Sequence, residues 1–414
     1  MKPHFPLIMI FTISLTIFGG LNTFGSSNID NDLEEATGLI EDKKEIPITT
    51  SYTDKTTYSL DRGRTRSYLL ISGTKDSGSD DDKIYLPNGQ LSFSGDYKIQ
   101  NSFITLDAFG NYETKNKVGT LFISQAGIRS QWNERIQSFV GKERNRRSPG
   151  LIVSPSDFIF SNTNLPGQRE DRNGVWLARI SYQKINGSFD FFLLPIQNET
   201  NEGMPDSTHN RAEGAFRGLY QFLNTDVSLM AGRYMDTNHA GVSIQTLLDN
   251  KYKLYIELGT QDEIYIYNKA KKNHPIQNLI GFGYEGNEDF SARLEYFENG
   301  YGLDTSEFNQ MMRMRSLFPS QFAENTRLQS PFIRKKYIIT SLSIPEFMKK
   351  YNLTFSGIKS LEDDSLLGIT RLEYIASDSL LLGFSITQLQ GGIGSQYQYR
   401  NFNSETTVDL KFSF

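Results

Sequence analysis

Two copies of the tetrapeptide Arg-Leu-Glu-Tyr place an arginine and a glutamate two residues apart. One copy holds Arg293 and Glu295, and the other holds Arg371 and Glu373. Residues two apart on a β-strand lie on the same face, so each pair would project both charges to one side of a sheet. If that side bounds an aqueous pore, the charges shape its ion selectivity. Each pair can also be a partly solvated ion pair that contributes little to stability, and the two interpretations are compatible.

A second group of charges lies in the segment 142–173, which opens on a basic cluster that includes Arg144, Arg146 and Arg147. This connection has an apolar centre and three prolines, and it is too long for a simple hairpin loop. We expect it to fold inward as a constriction whose arginines attract anionic solutes, with Arg179 extending the positive field along the next strand. The alternative is a basic outer loop that contacts anionic surface lipid.

Catalytic chemistry has little support in the sequence. Only four histidines occur, and His209, His239 and His274 have no serine partner or metal-ligand spacing around them. A barrel phospholipase would need a serine–histidine pair, and there is neither a glycine-rich phosphate loop nor a Gly-x-Ser-x-Gly motif. We therefore predict no catalytic residue, no metal site and no cofactor, and we do not expect an enzyme.

The elements that carry these residues alternate apolar and polar side chains. In "FSARLEYF" (290–297), Leu294 belongs to an apolar face and Ser291 to a polar one, and in "SLLLGFSIT" Phe384 and Ser385 divide in the same way. This period of two is typical of transmembrane β-strands with the apolar face towards lipid. A soluble sandwich shows a similar alternation with its apolar face inside.

The connections separate these two folds. Tight turns are expected at 185–187, 224–226, 248–251, 285–288, 348–351 and 376–379, and long polar connections at 143–173, 198–213, 261–275, 298–333 and 390–405. Outer-membrane barrels have short periplasmic turns and long outer loops. The sequence therefore predicts an all-β protein, a transmembrane antiparallel β-barrel of about 16–18 strands over residues 67–414, with an aqueous interior.

The beginning of the chain has the features of an export signal. Lys2 precedes the apolar run 7–18, and small residues follow at 25–27. The run is shorter than the roughly 20 residues that a spanning helix needs, which favours a signal peptide over an uncleaved anchor. We expect a signal peptide at 1–26 and an acidic periplasmic arm at 27–66.

Composition narrows the partners. The net charge of −5 argues against nucleic acid as a partner, and the absence of cysteine excludes disulfides and thiolate metal sites. Aromatic residues make up 13% of the chain, which suits the interfacial girdles of a barrel, although soluble carbohydrate binders are also rich in them.

The last nine residues, "TTVDLKFSF", place Val408, Leu410, Phe412 and Phe414 on one face. This ending resembles the C-terminal signature of bacterial outer-membrane barrels. The resemblance implies that the barrel-assembly machinery recognises these four residues.

A second resemblance covers residues 141–182, about a tenth of the chain. This run is similar to a segment of alginate-export-type and related porin-like barrels, with pattern positions at Gly141, Arg144, Pro155, Asp157, Gly174 and Trp176. The Trp-Gly pair usual in that pattern is replaced by Arg147-Ser148. The resemblance implies a channel for solutes or polysaccharides.

Together these features predict a porin-like channel in the outer membrane of a Gram-negative bacterium, for passive passage of small solutes, with anions and saccharides as the favoured classes. Its expected partners are outer-membrane lipid, the assembly machinery and small solutes. The alternative is a non-channel surface barrel that acts as an adhesin or ligand-binding protein through its long outer loops.

The connection 298–333 leaves two interpretations open. Met311, Met312 and Met314 beside Phe318 could form a short amphipathic helix over the pore mouth. Ordinary loop packing is the other interpretation and the one that we favour.

Overall fold

The computed structural model describes residues 65–77, 83–84, 88–99, 102–113, 118–144, 148–160, 174–194, 213–234, 237–265, 271–286, 290–317, 332–392, 395–397 and 404–413. In these residues the chain forms one helix and 21 strands. The strands are β1 (Thr65–Ser77), β2 (Lys83–Ile84), β3 (Asn88–Ile99), β4 (Ser102–Glu113), β5 (Val118–Gln131), β6 (Ile136–Glu143), β7 (Val175–Lys184), β8 (Gly187–Leu194), β9 (Glu213–Phe222), β10 (Thr225–Tyr234), β11 (Thr237–Leu248), β12 (Tyr252–Gln261), β13 (Glu263–Tyr265), β14 (Lys271–Asn273), β15 (Ile276–Glu285), β16 (Ser291–Asn299), β17 (Lys336–Phe347), β18 (Tyr351–Ser360), β19 (Leu366–Ser377), β20 (Leu380–Gln390) and β21 (Ser404–Ser413). The helix is α1 (Thr305–Leu317).

The main sheet has 19 strands within the described part of the chain, of which 18 are long and one is the two-residue β2. Each long strand pairs antiparallel with the long strands before and after it in sequence. The first strand, β1, pairs with both β3 and β21, so the series of pairings returns to its start. A separate hairpin of β13 and β14 lies outside the main sheet. The predicted antiparallel barrel is confirmed, with 18 long strands within the expected range.

The burial of side chains is opposite to that of a soluble protein. On β7 and β8, the outward Ile180 and Phe191 are 58% exposed, whereas the inward Arg179 and Asp190 are 3% and 1% exposed. The outward positions predicted for Leu294 and Phe384 are confirmed, since these side chains are 52% and 43% exposed. An apolar exterior around a charged interior is the arrangement that a barrel surrounded by lipid requires.

Short turns lie at one end of the strands, as the sequence predicts. Described turns join β7 to β8, β9 to β10, β11 to β12, β17 to β18 and β19 to β20 at the expected positions. In the turn after β11, Asp249 and Asn250 have φ of 50° and 55°, as the two central residues of a type I′ turn require, and the Lys251 N–H donates to the Leu248 carbonyl at 3.1 Å. The turn predicted at 285–288 lies partly outside the described residues.

The opposite end carries the long connections, although not every connection there is long. Only two residues separate β10 from β11, and five separate β18 from β19. No helix in the described ranges is long and apolar enough to cross a membrane.

Helix α1 forms within the connection predicted at 298–333, which agrees with the helical interpretation, whereas its location over the pore mouth stays a prediction. Its start is a reciprocal capping box, in which the Glu307 backbone N–H donates to Asp304 Oδ1 and the Asp304 N–H donates to Glu307 Oε2, both at 2.8 Å. Phe308 and Met311 are buried. Phe318 lies outside the described residues.

Candidate channel constriction

The connection between β6 and β7 sends residues 148–160, here called the inner segment, against the interior face of the barrel. The backbone N–H of Gly150 donates to Glu257 Oε1 at 2.6 Å, and that of Leu151 donates to Glu295 Oε1 at 2.5 Å. Glu257 lies on β12 and Glu295 on β16. The segment is therefore fixed to strands that are far from its own in the sequence.

Glu257 is the main polar anchor of the inner segment. Its Oε2 accepts hydrogen bonds from Ser156 Oγ at 2.7 Å, Ser154 Oγ at 3.2 Å and the Ser156 N–H at 3.3 Å, in addition to the bond from Gly150. The carboxylate is 0% exposed. A buried carboxylate that accepts several hydrogen bonds is stable, whereas the same group without donors would be costly.

Two glycines let the backbone of the segment approach the wall. A side-chain carbon added at Gly241 on β11 would lie 2.5 Å from the carbonyl oxygen of Ser156, and one added at Gly259 on β12 would overlap the carbonyl of Pro155. Any larger residue at these positions would push the segment into the interior.

A chain of buried ion pairs anchors the other end of the segment. Arg179 donates two hydrogen bonds to Glu143, from Nη2 to Oε1 at 2.7 Å and from Nε to Oε2 at 3.0 Å. Its Nη1 lies 3.5 Å from Asp190 Oδ1. Arg217 continues the chain, with Nη2 2.8 Å from Asp190 Oδ2 and Nη1 3.5 Å from Asp157 Oδ2. Asp157 belongs to the inner segment, so the chain links the segment to β6, β7, β8 and β9.

Apolar contacts complete the attachment at both ends. Ile152 is 0% exposed and belongs to a cluster with Tyr255, Leu279 and Phe297 on β12, β15 and β16. Ile159 and Phe160 belong to a second cluster built mainly on β6 to β10. Phe158 packs against this second cluster and stacks on His239 at a centroid distance of 4.7 Å.

The structure places the predicted pore residues in separate ion pairs. Arg144 Nη2 lies 3.4 Å from Asp107 Oδ2, and Arg293 Nη2 lies 3.2 Å from Glu285 Oε1. Arg371 contacts Glu373 and Asp409, each at 2.8 Å. Arg179 joins the buried chain, and Glu295 holds Leu151 and the Tyr255 hydroxyl. Arg146 and Arg147 lie outside the described residues.

Sequence reasoning missed Glu257, Asp190 and Arg217. One signal for Glu257 was available, because it is the acid on a strand whose alternate residues Leu254, Ile256 and Leu258 face outward. Its four donors lie about a hundred residues earlier in the chain, at a sequence separation of 101–107. No local pattern predicts that pairing.

A second cluster of loop contacts covers the outer part of β16 to β19, around Arg334. Arg334 Nε lies 3.3 Å from Glu362 Oε2 and 3.6 Å from Asp363 Oδ2, and its guanidinium lies over Phe308 of α1 at 4.6 Å. Burial acts to raise the pKa of Asp363, but hydrogen bonds from Ser365 and the Gln396 N–H outweigh it, so the pKa lies below its ordinary value. The cluster therefore holds together the connections that follow β16, β18 and β20.

The interior face therefore has two unlike walls. On the covered wall, formed by β6–β9, β12 and β15–β18, central inward side chains are buried by loops. On the open wall, formed by β3, β4, β20 and β21 beside β1, inward polar side chains are partly exposed, apart from Asp409, which is buried beside Arg371. The partly exposed side chains are Ser94, Thr105, Asp107, Ser385, Thr387 and Thr407.

Comparison with family models finds no match, and neither does comparison with curated proteins. Solved structures do match. OpdL of Pseudomonas aeruginosa has a TM-score of 0.54 and 11% identity, over 85% of this chain and 98% of that one. OccK11 (OpdR) of the same species has a TM-score of 0.53 and 10% identity, over 84% and 96%. OccAB4 of Acinetobacter baumannii has a TM-score of 0.53 and 9% identity, over 86% and 98%.

These similarities identify the fold as that of the outer-membrane porin β-barrels. At such low identity they extend to the fold alone. The resemblance to alginate-export-type proteins stays a prediction.

Proposed function

We propose that this protein is an outer-membrane channel for the passive passage of small polar solutes, and that the inner segment narrows it. The observation that carries the proposal is the inner segment itself, fixed along the interior face of an 18-strand ring by Glu257, Glu295 and the Asp157–Arg217 pair. A ring of this size is wide enough to enclose an aqueous channel unless loops narrow it. The apolar exterior assigns the barrel to a lipid bilayer.

The two walls suggest where the solute passes. Loops bury the central side chains of the covered wall, so little water reaches them. The open wall instead presents hydroxyl and amphiphilic side chains, including Ser94, Ser385 and Thr407, which are partly exposed on the interior face. Hydroxyls donate and accept hydrogen bonds and can replace part of the hydration shell of a polar solute. We place the passage along this wall, off the axis of the barrel.

The finer part of the proposal is a preference for anions, with saccharides as the other class. Arg144 and Arg129 side chains are each 25% exposed beside the root of the inner segment, and Arg146 and Arg147 follow in the sequence. A positive cluster beside a narrow aqueous passage raises the local concentration of anions. Glu285 and Glu373, which pair with Arg293 and Arg371, weaken this positive field further along the interior face.

Assembly and export belong to the same proposal. The apolar face of β21 contains the exposed Val408 and Phe412, and β21 closes the ring by pairing with β1. We propose that this strand, with Phe414 beyond its described end, is what the barrel-assembly machinery binds. We propose that the signal at 1–26 directs export and that the arm predicted at 27–66 remains in the periplasm up to the start of β1 at Thr65.

The surface-barrel alternative has one observation in its favour. The Arg334 cluster joins α1 to the connections after β18 and β20, so part of the outer surface is an ordered body. An ordered outer surface suits the binding of an external ligand.

The experiment uses the fact that the chain has no cysteine. Ser94→Cys and Ser385→Cys place single thiols on the open wall, and Ser243→Cys and Ser356→Cys place matched thiols at inward positions that are each 5% exposed. A charged methanethiosulfonate should reduce conductance in planar bilayers through the first pair and leave the second pair unchanged. Equal effects at all four positions would contradict the off-axis passage. A wild-type barrel that inserts without conducting would contradict the channel and favour the surface barrel.

A further inference from the structure

Large apolar side chains occupy the tips of the short turns. Trp132, Ile185, Leu223 and Met348 lie in the turns after β5, β7, β9 and β17, and they are 72%, 98%, 78% and 73% exposed. Single exposed apolar residues are common on protein surfaces. Four at equivalent positions of four hairpins form a pattern, which we call the apolar rim.

Turn chemistry does not account for the rim. Leu223 and Met348 have φ of 53° and 50°, in the left-handed region that asparagine and glycine favour. A bulky side chain at such a position adds backbone strain that asparagine or glycine would relieve. The described turns after β11, with Asp249 and Asn250, and after β19, with Asp378 and Ser379, show that a polar hairpin tip is compatible with this barrel.

The rim continues the lipid-facing surface. The outward residues just inside the tips are also apolar and exposed: Tyr182, Phe189, Tyr220, Phe222 and Phe347. Trp132 lies beside this surface, because its Nε1–H donates to Ser138 Oγ on the outward face of β6 at 2.8 Å. An exposed tryptophan ring beside an apolar outer face, with its N–H on a hydroxyl, is typical of a membrane interface.

Exposed charges flank the tips. Arg135, Lys184, Lys349 and Lys350 adjoin the apolar residues, together with the acids Glu134 and Glu346. Long cationic side chains can reach lipid headgroups while their stems lie along apolar surface. The cations outnumber the acids at these tips, which suits a leaflet that contains anionic phospholipid.

We infer that the apolar rim is a membrane-binding surface. Its four hairpin tips insert into the headgroup region of the leaflet at this end of the barrel. The occupant is phospholipid, because the rim is continuous with the face that lipid already covers. The membrane boundary then lies beyond the ends of the strands on these four hairpins and at the strand ends on the polar turns after β11 and β19. The inference requires the barrel to sit in a bilayer but does not depend on conduction.

The first test uses the tryptophans. The chain has two, so Trp176→Phe leaves Trp132 as the single reporter. The full-length variant is reconstituted into vesicles of phosphatidylcholine and phosphatidylglycerol that carry bromine high or low on the acyl chains. We expect Trp132 to lose most of its emission to the high bromines, and less to the low bromines and to aqueous iodide. Quenching by iodide alone, or by neither reagent because protein covers the ring, would overturn the inference.

The second test does not rely on tryptophan. Ile185→Cys and Met348→Cys are labelled with an environment-sensitive fluorophore, and Asp378→Cys is the matched control at the polar turn. The labels at 185 and 348 should emit further to the blue and be quenched by brominated lipid, whereas the label at 378 should behave as in water. If the label at 378 matches the other two, side-chain type does not set the depth of the tips, and the inference fails. Conductance of the same variants reports separately on the channel.

Discussion

Two arginines on the interior face each pair with one glutamate and one aspartate, but they differ in their exposure to water. Arg179 on the covered wall contacts Glu143 and Asp190, and its side chain is 2% exposed. Arg371 at the edge of the open wall contacts Glu373 and Asp409, and its side chain is 18% exposed. The first arginine holds loops and strands together, whereas water reaches the second. The comparison shows that the role of a charged side chain on the barrel wall depends on the loops. Where a loop covers the side chain, its role is structural, and where no loop covers it, it faces the solute.

The largest expected effect comes from removing each arginine. Arg179→Ala leaves two buried carboxylates without their cation, which should lower the free energy of unfolding by about 3–5 kcal/mol. Arg371→Ala should cost less, because only Asp409, at 7% exposed, is left as a buried carboxylate, whereas water can solvate Glu373, at 26% exposed. The measurement is urea-induced unfolding of both variants in lipid vesicles. Equal losses of unfolding free energy would mean that water reaches the two arginines equally, which would contradict the difference between the walls.

The outer faces of the two walls should not differ. Leu294→Arg on β16 and Phe384→Arg on β20 both place a charge in lipid, and each should destabilise the barrel by about 2–4 kcal/mol near the midplane. Ser291→Arg and Ser385→Arg are the controls on the interior face, where the charge remains near water. The same unfolding assay applies, and controls as costly as the lipid-facing pair would contradict the assignment of faces.

The smallest effect is on ion preference. Changing Arg144, Arg146 and Arg147 together to Glu should shift the reversal potential in planar bilayers towards cations, more strongly at low salt because screening is weaker. The triple change of Arg135, Lys184 and Lys349 to Glu is the charge-matched control, because these exposed cations lie at the short turns at the opposite end of the barrel, and it should shift the preference less. A conducting triple variant with unchanged preference would place the three arginines outside the passage.

The sequence predicts the fold well because strand periodicity is local. Alternation at Arg179 and Ile180 assigns the two faces of β7 without knowledge of its neighbours. The length of the connection after β6 also predicts that it folds back. The partners of that connection depend on which strands the ring brings opposite it, and Glu257 follows Gly150 by 107 residues. Contacts between residues so far apart in the sequence produce no periodic pattern in it.

The inner segment also has a mechanical consequence. Its Asp157 is tied to β9 through Arg217, and its Gly150 and Leu151 are tied to β12 and β16, so it forms a strut along the inner wall between these strands. A strut that is fixed to the wall at several points stiffens the arc of strands that it spans. Lateral tension in the membrane would therefore deform the free arc beside β1 before it deformed the arc from β9 to β16.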